Sequence, residues 1–125
     1  MRPINVVLAH HDQVSAEHLA ASLGKQFRNL TVAKSPSEIK SQVARFRAPF
    51  AVVDLELVKL TELKELCHQF PATAFVCVHR LADDQMWSEA LASGAVDCCN
   101  SDDVHGILLA SERYVVLRRS QSAAA

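Results

Sequence analysis

Polar side chains follow several apolar segments of the chain at the points where those segments end. They are His10, His11 and Asp12 after the first, Asp54 after the third, His79 and Arg80 after the fourth, and Asn100 and Ser101 after the fifth. Imidazole and carboxylate groups are the usual ligands of zinc, copper and nickel, and a histidine cluster also titrates near neutral pH. A shared location for these residues would therefore give the chain a candidate site.

The elements that carry these residues can be predicted from the hydrophobic pattern. Strands are predicted at 4–9, 30–33, 50–54, 74–78 and 95–99, and helices near 14–24, 36–46, 60–70, 82–93 and 103–118. Strict alternation of strand and helix predicts an α/β protein whose parallel sheet is covered on both faces. The carboxyl ends of parallel strands open into one crevice, so we expect the polar residues to meet there.

Several element boundaries have local signals. Ser35, Pro36 and Glu38 form the pattern of a capping box with proline at the first helical position. Gly24 and Gly94 lie where the first and fourth helices should end, and we expect both to adopt the left-handed conformation.

The composition is that of a single globular domain. The chain has 125 residues, of which 50% are hydrophobic and 22% charged, and its net charge is −1. These values disfavour a disordered segment, a nucleic-acid-binding surface and a surface for anionic membranes. No stretch is apolar enough to cross a bilayer or act as a signal, so we expect a cytoplasmic location. Residues 1–119 are predicted to form the domain and 120–125 a linker or chain end, with more protein following.

The four cysteines, Cys67, Cys77, Cys98 and Cys99, have neither disulfide-scaffold density nor paired C-x-x-C spacing. We expect reduced and mostly buried thiols. The adjacent pair should point to opposite faces if it lies in a strand, and a vicinal disulfide or thiol switch is the disfavoured alternative.

Two segments resemble the receiver domains of two-component response regulators. "PFAVVDLEL" is similar to the third strand of that family with its phospho-accepting aspartate, and "ALASGAVDCCNSDD" is similar to the end of its fourth helix, the following turn and the fifth strand. The resemblance covers about residues 4–118. It implies a flavodoxin-like, doubly wound sheet of five parallel strands in the order 2-1-3-4-5 with five helices, and it places Asp54 at the phospho-acceptor position.

The resemblance fails at the other active-site positions. The family has two acidic residues that hold magnesium where this chain has His10 and His11, a serine or threonine at His79, and a lysine at Ser101. Magnesium prefers hard oxygen ligands, and phosphoryl transfer depends on nearby positive charge. We therefore expect no magnesium cofactor and no phosphorylation of Asp54 in normal use.

The altered pocket has two interpretations. The favoured one is that the histidines hydrogen-bond to Asp54 or the backbone and fill the space, with no cofactor. The alternative is a transition metal bound by His10 or His11, His79 and the carboxylate.

Two neighbouring charges also have alternatives. Asp12 is interpreted as a helix cap rather than as a pocket carboxylate. Arg80 is interpreted as a solvated loop charge rather than as an anion contact that replaces the lysine.

The fifth helix and Trp87 are the candidate interaction features. Val104, Ile107, Leu108, Ser111, Tyr114 and Val115 form a stripe that should face the sheet. Leu109 and Val116 lie off this stripe. They indicate either a dimer face or exposed apolar side chains of the kind common on surfaces. Trp87 is expected in the core, with a contact to a partner protein as the alternative.

The favoured function is an atypical receiver domain that acts, without phosphorylation and without enzyme activity, as a protein-interaction or homodimerisation module. It would control a downstream output domain in transcription regulation, with no direct contact to nucleic acid or membrane. One alternative is a weakly phosphorylatable switch at Asp54. Another is a metal- or pH-sensing domain based on His10, His11 and His79.

Overall fold

Five strands and five helices alternate along the part of the chain that the computed structural model describes, residues 2–115. They are β1 Arg2–Ala9, α1 Gln13–Gly24, β2 Phe27–Ala33, α2 Pro36–Phe46, β3 Phe50–Asp54, α3 Leu60–Gln69, β4 Ala74–His79, α4 Asp84–Ala92, β5 Asp97–Asn100 and α5 Val104–Ala110. A π-helical segment, Ser111–Val115, continues α5. The predicted alternation is confirmed.

All five strands pair in parallel in the order β2-β1-β3-β4-β5. This is the doubly wound, flavodoxin-like arrangement that was predicted. The central strand β3 is buried along its whole length, as expected for a strand covered on both faces. Asp54 is the last residue of this strand, so its carboxylate lies at the crevice between the strand ends.

The helices form a layer on each face of the sheet. Leu19 of α1 and Ile107 of α5 pack on one face. Ile39 of α2, Leu63 of α3 and Ala90 of α4 pack on the other. Burying a leucine or isoleucine side chain contributes about 1.5–3 kcal/mol to the stability of the fold. Because such side chains pack on both faces of the sheet, they hold in place the strand ends that form the crevice.

The start of α2 follows the predicted signal with one difference. The Ser35 hydroxyl accepts the Glu38 backbone N–H at 3.1 Å, and Pro36 is the first helical residue. The Glu38 carboxylate accepts the Lys34 N–H at 3.2 Å, one residue before the position that a capping box would use.

The two glycines behave differently. Gly94 has φ 114°, and a Cβ there would lie 2.7 Å from Cβ of Cys67, so both backbone and space require glycine. The prediction for Gly24 is wrong. Gly24 is the last residue of α1, which continues into a right-handed cap at Lys25 with φ −70°. The turn at Lys25 and Gln26 closes with a hydrogen bond from the Gln26 N–H to the Leu23 carbonyl at 2.9 Å, and Lys25 keeps a right-handed backbone.

The predicted stripe of the fifth helix faces the sheet, with Ile107, Ser111 and Val115 buried. The prediction for Trp87 is wrong, because its side chain is 46% exposed. Its indole N–H donates to Asp97 Oδ1 at 3.2 Å. Helical spacing cannot tell a helix over the sheet centre from one beside an edge strand, and α4 lies against β5, the last strand of the sheet.

The four cysteines are thiols and are not joined by disulfide bonds, as predicted. Cys98 packs with the α2–α4 layer and Cys99 with the α1 and α5 layer, so the adjacent pair points to opposite faces. Burial raises the pKa of Cys98 to about 11 and that of Cys99 to about 12, and both are therefore protonated near neutral pH.

Within residues 2–115, no helix combines the length and apolar character needed to span a bilayer.

Candidate functional site

The Asp54 carboxylate is completely buried and accepts hydrogen bonds on both oxygens. Its Oδ1 accepts the backbone N–H of Glu56 at 2.9 Å. Its Oδ2 accepts the backbone N–H of His11 at 2.9 Å and also the Nδ1 of the same histidine ring. The turn that follows β3 and the loop that follows β1 therefore both close on this side chain.

These contacts determine the ionisation of Asp54. Burial raises the pKa of the carboxyl, but the hydrogen bonds from the His11 N–H, the His11 ring and the Glu56 N–H outweigh burial, so the pKa is lowered overall. Asp54 is consequently a carboxylate at neutral pH.

The His11 ring bridges two carboxylates. Its Nδ1 bonds to Asp54, and its Nε2 lies 3.2 Å from Glu56 Oε2. The hydrogen bond with Asp54 raises the pKa of His11; partial desolvation opposes this rise, and the negative charges of Asp54, Glu56 and Asp12 support it. The side chain is 42% exposed, so His11 forms the solvent-facing cover of the buried carboxylate.

His10 lies beneath His11 and is buried. The two rings stack with centroids 4.9 Å apart and planes inclined by 20°. His10 Nδ1 accepts the Asp12 backbone N–H at 3.0 Å and lies 3.5 Å from Asp54 Oδ2. Its Nε2 is buried and has no hydrogen-bond partner among the described residues.

Glu56 is the site residue that the sequence analysis missed. Its carboxylate lies 3.2 Å from Nε2 of His11, 3.6 Å from Nε2 of His79 and 2.9 Å from Nε of Arg80. The signal that could have identified it is its place two residues after Asp54. An aspartate side chain commonly accepts the backbone N–H of the residue two positions later in the chain. Here that residue is Glu56, and the hydrogen bond holds it beside the end of β3.

The structure brings His10, His11 and Asp54 together, and it places the other candidates elsewhere. His79 faces Glu56 rather than joining the Asp54 carboxylate. Asp12 caps α1 by accepting the Ser15 N–H at 2.9 Å, as favoured from the sequence. Ser101 lines a cavity of about 270 Å³ beside α1 and the start of α5.

Arg80 is largely exposed, as the favoured interpretation of a solvated loop charge expects. Its side chain is 73% exposed, and it is also ion-paired with Glu56. Its ion-pair partner is a carboxylate of the protein, and the alternative of an anion contact that replaces the lysine stays a prediction.

Leu109 is 45% exposed and borders a cavity of about 320 Å³ beside β5. Val116, the second residue of the predicted dimer face, lies outside the described residues.

Similarity to known proteins lies in the fold. No family model matches the sequence, and no curated protein sequence matches it. The signal receiver domain of an HD domain-containing protein from Pseudomonas fluorescens Pf-5 superposes with a TM-score of 0.85 at 17% identity, covering 100% of this chain and 96% of that chain.

Two further solved structures agree. A Burkholderia pseudomallei response regulator with a phosphorylated aspartic acid, calcium ion and citrate gives a TM-score of 0.77 at 21% identity, covering 97% of this chain and 74% of that one. The BeF3-activated receiver domain of Klebsiella pneumoniae RstA gives 0.74 at 23% identity, covering 87% and 95%. The chain thus has the receiver fold.

The donor atoms of the site do not fit the magnesium ion that receiver domains hold. Magnesium is bound through oxygen ligands in octahedral geometry. The loop after β1 supplies two imidazole rings, and among residues 2–115 Asp54 is the carboxylate that contacts both of them. The residues present are therefore a poor magnesium site.

Proposed function

We propose that this chain is an atypical receiver domain that acts in signal transduction as a protein-interaction or homodimerisation module, without phosphorylation of Asp54. In this proposal the domain has no enzyme activity of its own and controls an output domain in transcription regulation. The receiver fold supports the class, and the side chains around Asp54 support the atypical mode of action.

The observation that carries the proposal is that both oxygens of the buried Asp54 carboxylate already accept hydrogen bonds from the protein. One oxygen accepts the Glu56 N–H, and the other accepts both the His11 N–H and the His11 ring. A phosphoryl donor needs an exposed carboxylate oxygen in line with its leaving group. Here the Asp54 carboxylate is completely buried, and the partly exposed ring of His11 covers it.

The distribution of positive charge supports the same conclusion. Phosphoryl transfer needs cations directed at the transferred oxygens. The His11 ring contacts the carboxylates of Asp54 and Glu56, and Arg80 forms an ion pair with Glu56. These groups neutralise the protein's own carboxylates instead of an incoming phosphoryl group.

A second region offers contacts for a partner. We call Trp87, Asp97 and Leu109 the β5 surface. Asp97 and Leu109 line the same cavity, and Asp97 accepts the Trp87 indole N–H. Trp87 is 46% and Leu109 45% exposed. Large aromatic and aliphatic side chains at the surface are typical anchors of protein interfaces, so we infer that a protein partner or a second copy binds here.

The test is an attempt to phosphorylate the protein. Incubation with acetyl phosphate and Mg²⁺, followed by intact-mass measurement, should give no phosphoryl adduct. The matched control is the triple variant His10→Asp, His11→Asp and Ser101→Lys, which restores the acidic pair and the lysine and should be labelled at Asp54. Stoichiometric labelling of the unmodified protein that is lost in Asp54→Asn would instead support the alternative of a phosphorylatable switch.

A further inference from the structure

We infer that His10, His11 and Asp54 form a binding site for a borderline divalent transition ion, with Zn²⁺ as the reference ion. This inference goes beyond the proposed function and does not depend on it. The potential ligand atoms of the three residues lie within 4.8 Å of one another, and the residues come from the ends of two adjacent strands, β1 and β3.

The donor set selects the class of ion. Two imidazole nitrogens and one carboxylate oxygen are common ligands of zinc and also suit copper and nickel. The same set is a poor match for magnesium, which requires oxygen ligands. The replacement of the acidic pair by histidines would therefore change the ion that the cleft accepts rather than merely abolish binding.

The surroundings of His11 provide an independent argument. Histidines that bind a metal through one ring nitrogen usually donate the other ring N–H to a carboxylate, which fixes the ring and its tautomer. Here Nδ1 faces Asp54, while Nε2 lies 3.2 Å from Glu56 Oε2. Glu56 is itself held by Arg80 at 2.9 Å. Ion binding would displace the proton that Nδ1 donates to Asp54 and leave the ring proton on Nε2, where Glu56 accepts it, so that the Nδ1 lone pair faces the ion.

His10 can supply the second nitrogen with a small rearrangement. Its Nδ1 is 3.5 Å from Asp54 Oδ2 and accepts the Asp12 N–H, a hydrogen bond that ion binding would replace. Its Nε2 has no hydrogen-bond partner among the described residues, so no hydrogen bond at that nitrogen opposes the rearrangement. The exposed edge of His11 gives an aqueous ion access to the buried carboxylate.

The test is titration of the full chain with Zn²⁺ alone in competition with a chromogenic chelator, and with Co²⁺ alone for its visible spectrum. We expect saturable binding of one ion per chain, with an absorption spectrum that shows histidine coordination and persists in a large excess of Mg²⁺. His11→Ala and Asp54→Asn should each weaken binding by more than about tenfold, and Glu56→Gln by about 10- to 100-fold.

His68→Ala, which removes an exposed histidine on α3, is the matched control and should bind as the unmodified chain does. Circular dichroism of each variant establishes that it is folded. Binding that is absent, displaced by Mg²⁺, or unchanged in folded His11→Ala and Asp54→Asn would overturn the inference. The last result would assign the ion to other ligands, such as the thiols. None of these readouts depends on phosphorylation of Asp54, so this inference and the proposed function can fail separately.

Discussion

The cleft around Asp54 and the β5 surface differ in how their side chains are satisfied. In the Asp54 cleft, which comprises His10, His11, Asp54 and Glu56, nearly every polar group contacts another group of the same chain. On the β5 surface, Trp87 and Leu109 remain about half exposed. Trp87 contacts Asp97 through the hydrogen bond that its indole N–H donates.

This difference indicates that the cleft contributes to the stability of the fold and that the β5 surface contributes to binding. A polar cluster with internal partners contributes to folding and leaves little capacity for a phosphoryl donor. Exposed apolar side chains contribute little to the stability of the isolated domain. Their burial by a partner makes the free energy of binding more favourable. In receiver domains that are switched by phosphorylation, the aspartate cleft is the part that reacts. Here we expect the cleft to stabilise the fold and to take no part in phosphoryl transfer, and we expect the β5 surface to be the region that contacts a partner.

The largest effect is expected from Asp54→Ala. This change leaves the N–H groups of His11 and Glu56 without their acceptor and removes the charge that holds the His11 ring. We expect the free energy of unfolding to fall by about 2–3 kcal/mol. Urea unfolding followed by circular dichroism measures it. Asp102→Ala, at an exposed position, is the control and should change stability by less than about 0.5 kcal/mol. Equal effects of the two variants would show that the cleft is not structural.

A smaller effect is expected from pH. The hydrogen bond with Asp54 raises the pKa of His11 above its ordinary 6.5. Its contribution is therefore complete below pH 6.5 and is lost as the pH rises through the raised value. Burial raises the pKa of Asp54, but its hydrogen bonds lower it overall from 3.8, so its contribution is lost as the pH falls through that lower value.

Stability of the metal-free protein should therefore be greatest between these two transitions and should decline on the alkaline side. Urea titrations between about pH 5 and 9 measure the decline. His11→Gln keeps a side chain that can hydrogen-bond but cannot be protonated, so it should flatten the alkaline part of the curve. An identical alkaline slope in the two proteins would contradict the assignment of this dependence to His11.

The sequence predicted the fold well because its signals were redundant. Five apolar segments separated by segments of helical periodicity admit few topologies, and the errors at individual boundaries did not change the strand order. Gly24 shows why single residues are less predictable. Glycine permits a left-handed turn but does not require one, and the turn after α1 is made with a right-handed backbone at Lys25.

The site was only partly predictable for a similar reason. The ends of parallel strands converge, and this rule correctly predicted that His10 and His11 lie beside Asp54. The rule does not give the direction of a side chain. His79 was therefore expected beside Asp54, whereas in the structure it faces Glu56. Glu56 was missed because its role depends on the turn after β3, where the Asp54 side chain accepts its N–H. Spacing along the chain does not reveal a carboxylate that is shared by two histidine rings and an arginine.

The β5 surface should respond to Leu109→Asp in association but hardly in folding. Leu109 is 45% exposed, so a charge there should alter the free energy of unfolding by less than about 0.5 kcal/mol. The same charge should prevent a second copy from covering the surface. Light scattering across a concentration series should therefore show association of the unmodified chain and a constant monomer mass for the variant.

Val14→Asp is the matched control, because Val14 is 74% exposed on α1 and does not line the cavity that Asp97 and Leu109 share. It should associate as the unmodified chain does. If Leu109→Asp and the unmodified chain have the same mass at every concentration, self-association through this surface is excluded.

The smallest effect is expected in the fluorescence of Trp87. It is the single tryptophan of the chain, so the emission reports on the β5 surface alone. Covering a half-exposed indole removes water from it, and we expect a modest blue shift of the emission as the protein concentration rises. Leu109→Asp should abolish the concentration dependence, whereas Val14→Asp should retain it. A shift that accompanies Asp54→Ala at constant protein concentration would instead show that the Asp54 cleft and the β5 surface are coupled, and the contrast between a structural cleft and an independent working surface would then be wrong.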